Sequence, residues 1–114
     1  LAGGRVRGRT LATVDDAALE FMRTIHVDVA FMGTNGLTVD RGLTTPDRAE
    51  AAVKRSFVRS ALRCVALADH TKFGSVHFAH FADLSEVDVV VTDSALAQTV
   101  AAEVEAAGPQ VVLA

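Results

Sequence analysis

The sequence predicts an α/β domain, a mostly parallel sheet with helices on both faces. Short β-branched runs alternate with segments of helical periodicity along the 114 residues. The runs lack strict apolar–polar alternation, as strands covered on both sides do. Polar, turn-forming segments follow several of them, where a chain leaves a sheet.

Taken in order, Thr10 to Val14 is expected to form a short additional strand. Asp15 or Asp16 then caps a helix whose Ala18, Met22 and Ile25 recur on one face. Val27 to Met32 reads as a buried strand that ends in Gly33-Thr34-Asn35-Gly36. The next helix has Thr45 as N-cap, Pro46 at its first position and Asp47 in its first turn. Its Ala49, Val53, Phe57 and Ala61 fall at steps of four and predict a core-facing stripe. Arg63 to Ala68 is a second strand, followed by the polar segment Asp69 to Gly74. Ser75 to Ser85 fits no more than a turn of helix. Asp88 to Thr92 is a third strand. A helix from near Ser94, with Leu96, Val100 and Val104 on one face, stops at Gly108-Pro109. Gln110 to Leu113 closes the series.

Composition bounds the function. At roughly 100–200 residues per domain, the chain holds one domain or part of one. Fourteen acidic against eleven basic residues give a net charge of −3. With a pI near 5.7, that argues against a free-standing nucleic-acid binder. Trp and Tyr are absent, which removes most platforms for base stacking. No stretch approaches the ~18 apolar residues of a membrane span. Arg5, Arg7 and Arg9 lead to Asp15 and Asp16 and not to the apolar core of a signal peptide. Cys64 is the single cysteine and sits in an apolar run, so it reads as a buried structural thiol in a cytoplasmic protein.

Ligands of open parallel sheets gather beyond the carboxyl ends of the strands. Three polar segments fall at such ends: Gly33-Thr34-Asn35-Gly36, Asp69-His70-Thr71-Lys72 and Thr92-Asp93-Ser94. Gly42-Leu43-Thr44-Thr45-Pro46-Asp47 runs into a helix N-terminus, whose free N–H groups favour phosphate or carboxylate. Together they suit a polyhydroxylated anion. Asp69 and Lys72 read either as a lysine engaging phosphate, oriented by the carboxylate, or as a surface ion pair in a turn. Glu50 reads either as a ligand to sugar hydroxyls or a base, or as a capping-box partner. His70, His77 and His80 lack the companions of a metal centre, and no metal is expected. Arg48, Arg55, Arg59 and Arg63 are expected on a solvated helix face or a subunit contact.

These motifs, in this order, closely resemble the C-terminal sensor domain of DeoR/GlpR-family bacterial transcriptional regulators. The resemblance rests on Asp28-Val-Ala-Phe31-Met-Gly33-Thr-Asn-Gly36, Gly42-Leu-Thr-Thr-Pro-Asp47 and Glu50-Ala-Ala-Val-Lys54-Arg55. Leu67-Ala-Asp69-His-Thr-Lys72-Phe-Gly74 and Val91-Thr92-Asp93 complete it. It implies a fold similar to ribose-5-phosphate isomerase and a non-enzymatic repressor that senses a phosphorylated sugar, with no cofactor. It also implies a homo-oligomer that contacts DNA only through an N-terminal winged helix-turn-helix absent from residues 1–114. Carried over, Asp69 and Lys72 match the family's inducer-response motif, while Gly33, Thr34, Asn35 and Gly36 match the loop lining the sugar pocket. Thr44 and Thr45 fall in the Gly-Leu-Thr-Thr-Pro-Asp motif, and Glu50 and Lys54 match Glu-Ala-x-x-Lys.

The opening Leu1-Ala-Gly-Gly4 resembles a strand leaving a sheet, so the domain is expected to be incomplete, with its phosphate loop upstream. Asp15 stands where the family usually has Gly. Two other readings remain beside the sensor. A sugar-phosphate isomerase or deaminase of this fold would need a second carboxylate for a proton shuttle, and none lies between Gly33 and Val39. A purely dimerising module would differ from a sensor only in binding no ligand.

Overall fold

The computed structural model describes residues 27–114. The expected Thr10–Val14 strand, the helix capped by Asp15 or Asp16 and the Leu1–Gly4 step lie outside the described residues. In chain order the elements are β1 (Val27–Gly33), β2 (Gly36–Thr38), β3 (Gly42–Thr45), α1 (Arg48–Ser60) and β4 (Ala61–Leu67). They continue with β5 (Ala79–Ala82), β6 (Val89–Thr92), α2 (Gln98–Ala106) and β7 (Gln110–Leu113).

Four strands make the expected parallel sheet, in the order β1-β4-β6-β7. Register aligns their carboxyl ends: Gly33 lies opposite Leu67, and Leu67 opposite Val91. Ala30, Met32, Cys64, Ala66 and Val90 fill one face of this sheet and are buried. On the other face Phe31 of β1 is 68% exposed.

A second sheet was not expected. β2, β3 and β5 pair antiparallel in the order β2-β3-β5. The turn-rich Gly33–Gly36 segment leads into a short hairpin of β2 and β3, and the Gly42–Asp47 segment supplies its second strand before α1. Gly42 closes it at φ +67, where an added Cβ would also lie 2.1 Å from the Ala82 carbonyl. Ser75 to Ser85, expected to hold a turn of helix, supplies β5 and then a 3-10 turn at Leu84–Glu86. Phe81 in β5 is fully buried and anchors this sheet to the core.

Helix boundaries also shift. The N-cap of α1 is Asp47, not Thr45; its carboxylate accepts from the backbone N–H of Ala49 (2.8 Å) and Glu50 (3.4 Å). Thr45 ends β3, because its backbone pairs with Ala79. The buried stripe of α1 is Glu50, Ala51, Val53 and Val58, rotated from the predicted one, and Ala61 already belongs to β4. Arg63 likewise lies in β4, away from the helical arginines. α2 begins at Gln98 and not near Ser94, because the Asp93 carboxylate holds Ala95 in a turn. Leu96 is buried nonetheless, ahead of the helix.

Candidate functional site at the carboxyl edge of the sheet

β1 delivers Asn35 just beyond its carboxyl end, β3 delivers Thr45, and the first turns of α1 deliver Glu50 and Lys54. Thr45 Oγ1 lies 3.0 Å from Asn35 Oδ1 and 3.1 Å from Glu50 Oε2. A single hydroxyl proton serves only one acceptor at a time. Turning the Asn35 amide end for end makes it the donor to Thr45 and frees that proton for the carboxylate. Glu50 is only 6% exposed, so this hydrogen bond is what makes a buried carboxylate tolerable.

The capping-box alternative for Glu50 is therefore not realised. Its side chain turns to Thr45, while Asp47 serves the helix end. The same cap occupies two of the first N–H groups of α1, those of Ala49 and Glu50, with the chain's own carboxylate.

Lys54, one turn after Glu50, donates from Nζ to the Gly33 carbonyl at 2.9 Å. Its ammonium stands 5.1 Å from the centroid of the Phe81 ring. Burial pushes its pKa below the ordinary lysine value, and the Glu50 charge pulls the other way. Glu50 and Lys54 are four apart on a helix, the spacing that makes them neighbours and that the Glu-Ala-x-x-Lys match already marked.

The hydroxyls of Thr34 and Thr44 are both engaged by backbone groups. The Thr34 hydroxyl is buried between the carbonyls of Gly36 (2.8 Å) and Thr44 (3.1 Å). Thr44 Oγ1 accepts the His77 backbone N–H at 3.0 Å. Gly36 is required by space: a Cβ there would sit 2.3 Å from the Ser75 carbonyl oxygen and 2.7 Å from Thr44 Oγ1.

At the end of β4, Asp69 caps a 3-10 turn over His70–Lys72. Its carboxylate accepts from the Thr71 N–H (2.8 Å) and hydroxyl, and these bonds hold its pKa below the usual carboxylate value. Among the described residues Asp69 and Lys72 form no ion pair. Asp69 shapes the turn, and Lys72, a half-buried residue, has no side-chain hydrogen-bond or ion-pair partner among the described residues. The turn is tied to β6 by Asp93, whose carboxylate accepts from the His70 N–H (2.9 Å) and lies 3.0 Å from His70 Nδ1. The turn also joins the hairpin: Gly74 N–H donates to the Leu37 carbonyl at 2.9 Å, and Leu37 bridges Phe73. Thr92 Oγ1, at the same edge, is buried without a hydrogen-bond partner among the described residues.

Among the described residues His70, His77 and His80 do not converge. His77 lies on Asn35, His80 pairs with Asp83 at 2.8 Å, and His70 pairs with Asp93. Ligand atoms of Asp69, His70 and Asp93 do fall within 4.8 Å of one another. The carboxylates there are already engaged by Thr71, Ala95 and His70. Of the helical arginines, Arg55 pairs with Glu86 at 2.6 Å, while Arg48 and Arg59 are exposed.

A buried carboxylate, an amide, two lysines and a hydroxyl unpartnered among the described residues stand at the carboxyl edge of a parallel sheet, the place where α/β domains bind ligands. The family model of the DeoR C-terminal sensor domain matches residues 1–94, and the chain belongs to that family. It is 43% identical over 112 residues to the HTH-type transcriptional regulator GlpR of Haloferax volcanii, covering 98% of this chain and 44% of that protein. It is 38% identical over 94 residues to an uncharacterized HTH-type transcriptional regulator FruR of Bacillus subtilis (82% of this chain, 38% of the relative). The glycerol-3-phosphate regulon repressor of Escherichia coli is 31% identical over 94 residues (82% and 37%). The chain thus spans less than half the length of these relatives. Among the described residues no helix is long and apolar enough to cross a membrane.

Proposed function

We propose that residues 1–114 form the effector-sensing part of a cytoplasmic transcriptional regulator of carbohydrate metabolism, with a phosphorylated sugar as effector. The observation that carries this reading is the Asn35–Thr45–Glu50 chain at the end of β1, beside the turn that presents Lys72. A buried carboxylate and an amide read sugar hydroxyls by accepting and donating hydrogen bonds. Lys72, without a side-chain partner among the described residues, is the group that an anion would recruit. The names of the relatives, among them a glycerol-3-phosphate regulon repressor, support a phosphorylated effector.

In this proposal the chain is not an enzyme. Glu50 is a lone carboxylate in its cluster, and a proton shuttle between sugar carbons needs a second group. Operator DNA would be bound by a helix-turn-helix part of the regulator, in a homo-oligomer. Effector binding would favour one arrangement of that oligomer, with a coupling of ~1–3 kcal/mol.

A thermal-shift series with phosphorylated trioses, pentoses and hexoses tests the reading. Stabilisation by one of them, lost in Lys72→Ala, is expected. Cooperative melting with no shift for any of them, in this chain and in the full-length regulator alike, would overturn it.

A further inference from the structure

The segment from Gly74 to Phe78 connects the Lys72 turn to β5, and it crosses the hairpin at Gly36. His77 is its point of attachment. Its backbone N–H donates to Thr44 Oγ1 at 3.0 Å, and its ring Nε2 lies 3.2 Å from the Asn35 carbonyl oxygen. A carbonyl oxygen only accepts, so Nε2 carries the proton in this contact. The Asn35 N–H meanwhile donates to the Thr44 carbonyl at 3.2 Å. Both backbone polar groups of Asn35 are thereby fixed, although the residue itself is exposed. The ring packs where Gly36 leaves room, since a Cβ on Gly36 would come within 3.0 Å of His77 Cδ2.

The consequence is geometric. Asn35 can bridge Thr45 and a ligand only if its backbone holds the side chain toward Thr45. His77 supplies that hold from the segment that follows Lys72 and Phe73. We propose that His77 is a positioning residue of the effector site: it fixes Asn35 against Thr45 and Glu50 and couples that cluster to the Lys72 turn. This rests on the effector reading above, and it assigns His77 a role that does not involve touching the ligand.

The test compares His77→Ala with His77→Gln in the full-length regulator, the glutamine amide being able to donate to the same carbonyl. One readout needs no ligand: amide exchange over residues 33–38. His77→Ala should speed exchange there about five-fold, the effect of one net hydrogen bond, and leave the rest of the domain unchanged. His77→Gln should restore much of the protection. The second readout is titration with fructose 1-phosphate, glucose 6-phosphate and glycerol 3-phosphate. For whichever of these the wild type binds, His77→Ala should weaken affinity about five-fold and His77→Gln less.

Unchanged exchange in His77→Ala overturns the proposal. So does faster exchange across the whole domain in both variants, which marks a general structural role. Local loosening with unaltered affinity for a ligand the wild type binds overturns it as well. If the wild type binds none of these three and none of the phosphorylated trioses, pentoses and hexoses above, the effector reading fails and takes the positioning role with it. The exchange data then still show separately whether His77 holds Asn35.

Discussion

His70 Nδ1 lies 3.0 Å from both carboxylate oxygens of Asp93, and the His70 backbone N–H reaches the same carboxylate at 2.9 Å. Two strand ends that are far apart in sequence are thus joined by one aspartate, which presents the Lys72 turn beside the sheet edge.

This joint makes the acid limb of stability predictable. The His70 backbone N–H, then the His70 side chain, then the Ala95 N–H hold Asp93 below its ordinary value of 3.8. A depressed carboxylate contributes stability that is present above the unfolded value and is lost as pH falls through the lower folded one. Asp69 behaves alike, through Thr71. Melting temperature should therefore fall as pH drops below about 4. Asp93→Asn should flatten that dependence. Thermal melts of both proteins between pH 2 and 7 check this, and identical slopes would contradict it.

Gly36→Ala should destabilise the domain by ~1–3 kcal/mol, because the new Cβ meets backbone and a hydroxyl held by His77. Urea unfolding measures it. Gly33→Ala is the control, since a Cβ at Gly33 meets nothing within 4 Å, and it should cost much less.

Thr45→Val removes the hydroxyl that serves the buried Glu50 and should cost ~1–3 kcal/mol, much of it the penalty of an unpaired carboxylate. Glu50→Gln keeps the shape and removes the charge. In a double-mutant cycle Thr45→Val should cost less on the Glu50→Gln background. Additive losses would show that the pair does not interact.

Cys64 should be nearly inert in the native state. Burial, with the charges of Asp88 and Glu86, pushes its pKa up to about 11. At pH 8 only about one thiol in a thousand would then be ionised. Iodoacetamide should label the native protein slowly and the urea-unfolded protein at the rate of a free thiol. Equal rates would place Cys64 at the surface.

The parallel strands were legible because their signal is local. Val27–Met32, Asp88–Thr92 and Gln110–Leu113 agree with β1, β6 and β7 to within a residue at each end. The second sheet was not, since β2 and β3 are only three and four residues long and are rich in Gly and Thr. Such runs become strands by pairing with each other and with β5, from some forty residues later in the chain, and no local propensity records that partner. Thr45 failed as an N-cap for the same reason: its backbone was claimed by β3, and Asp47 took the helix end.

The candidate site divides along the same line. Residue types and spacing alone determined that hydroxyls, an amide and charged groups would gather where parallel strands end, because strand polarity and turn chemistry are written locally. The tertiary structure decided which partner each of them takes within the fold. Packing turned Glu50 inward to Thr45, spent Thr34 and Thr44 on backbone, set Asp69 on its own turn and laid His77 across Asn35. Each of those outcomes depends on which groups lose water together when distant segments meet, a competition that no single segment contains.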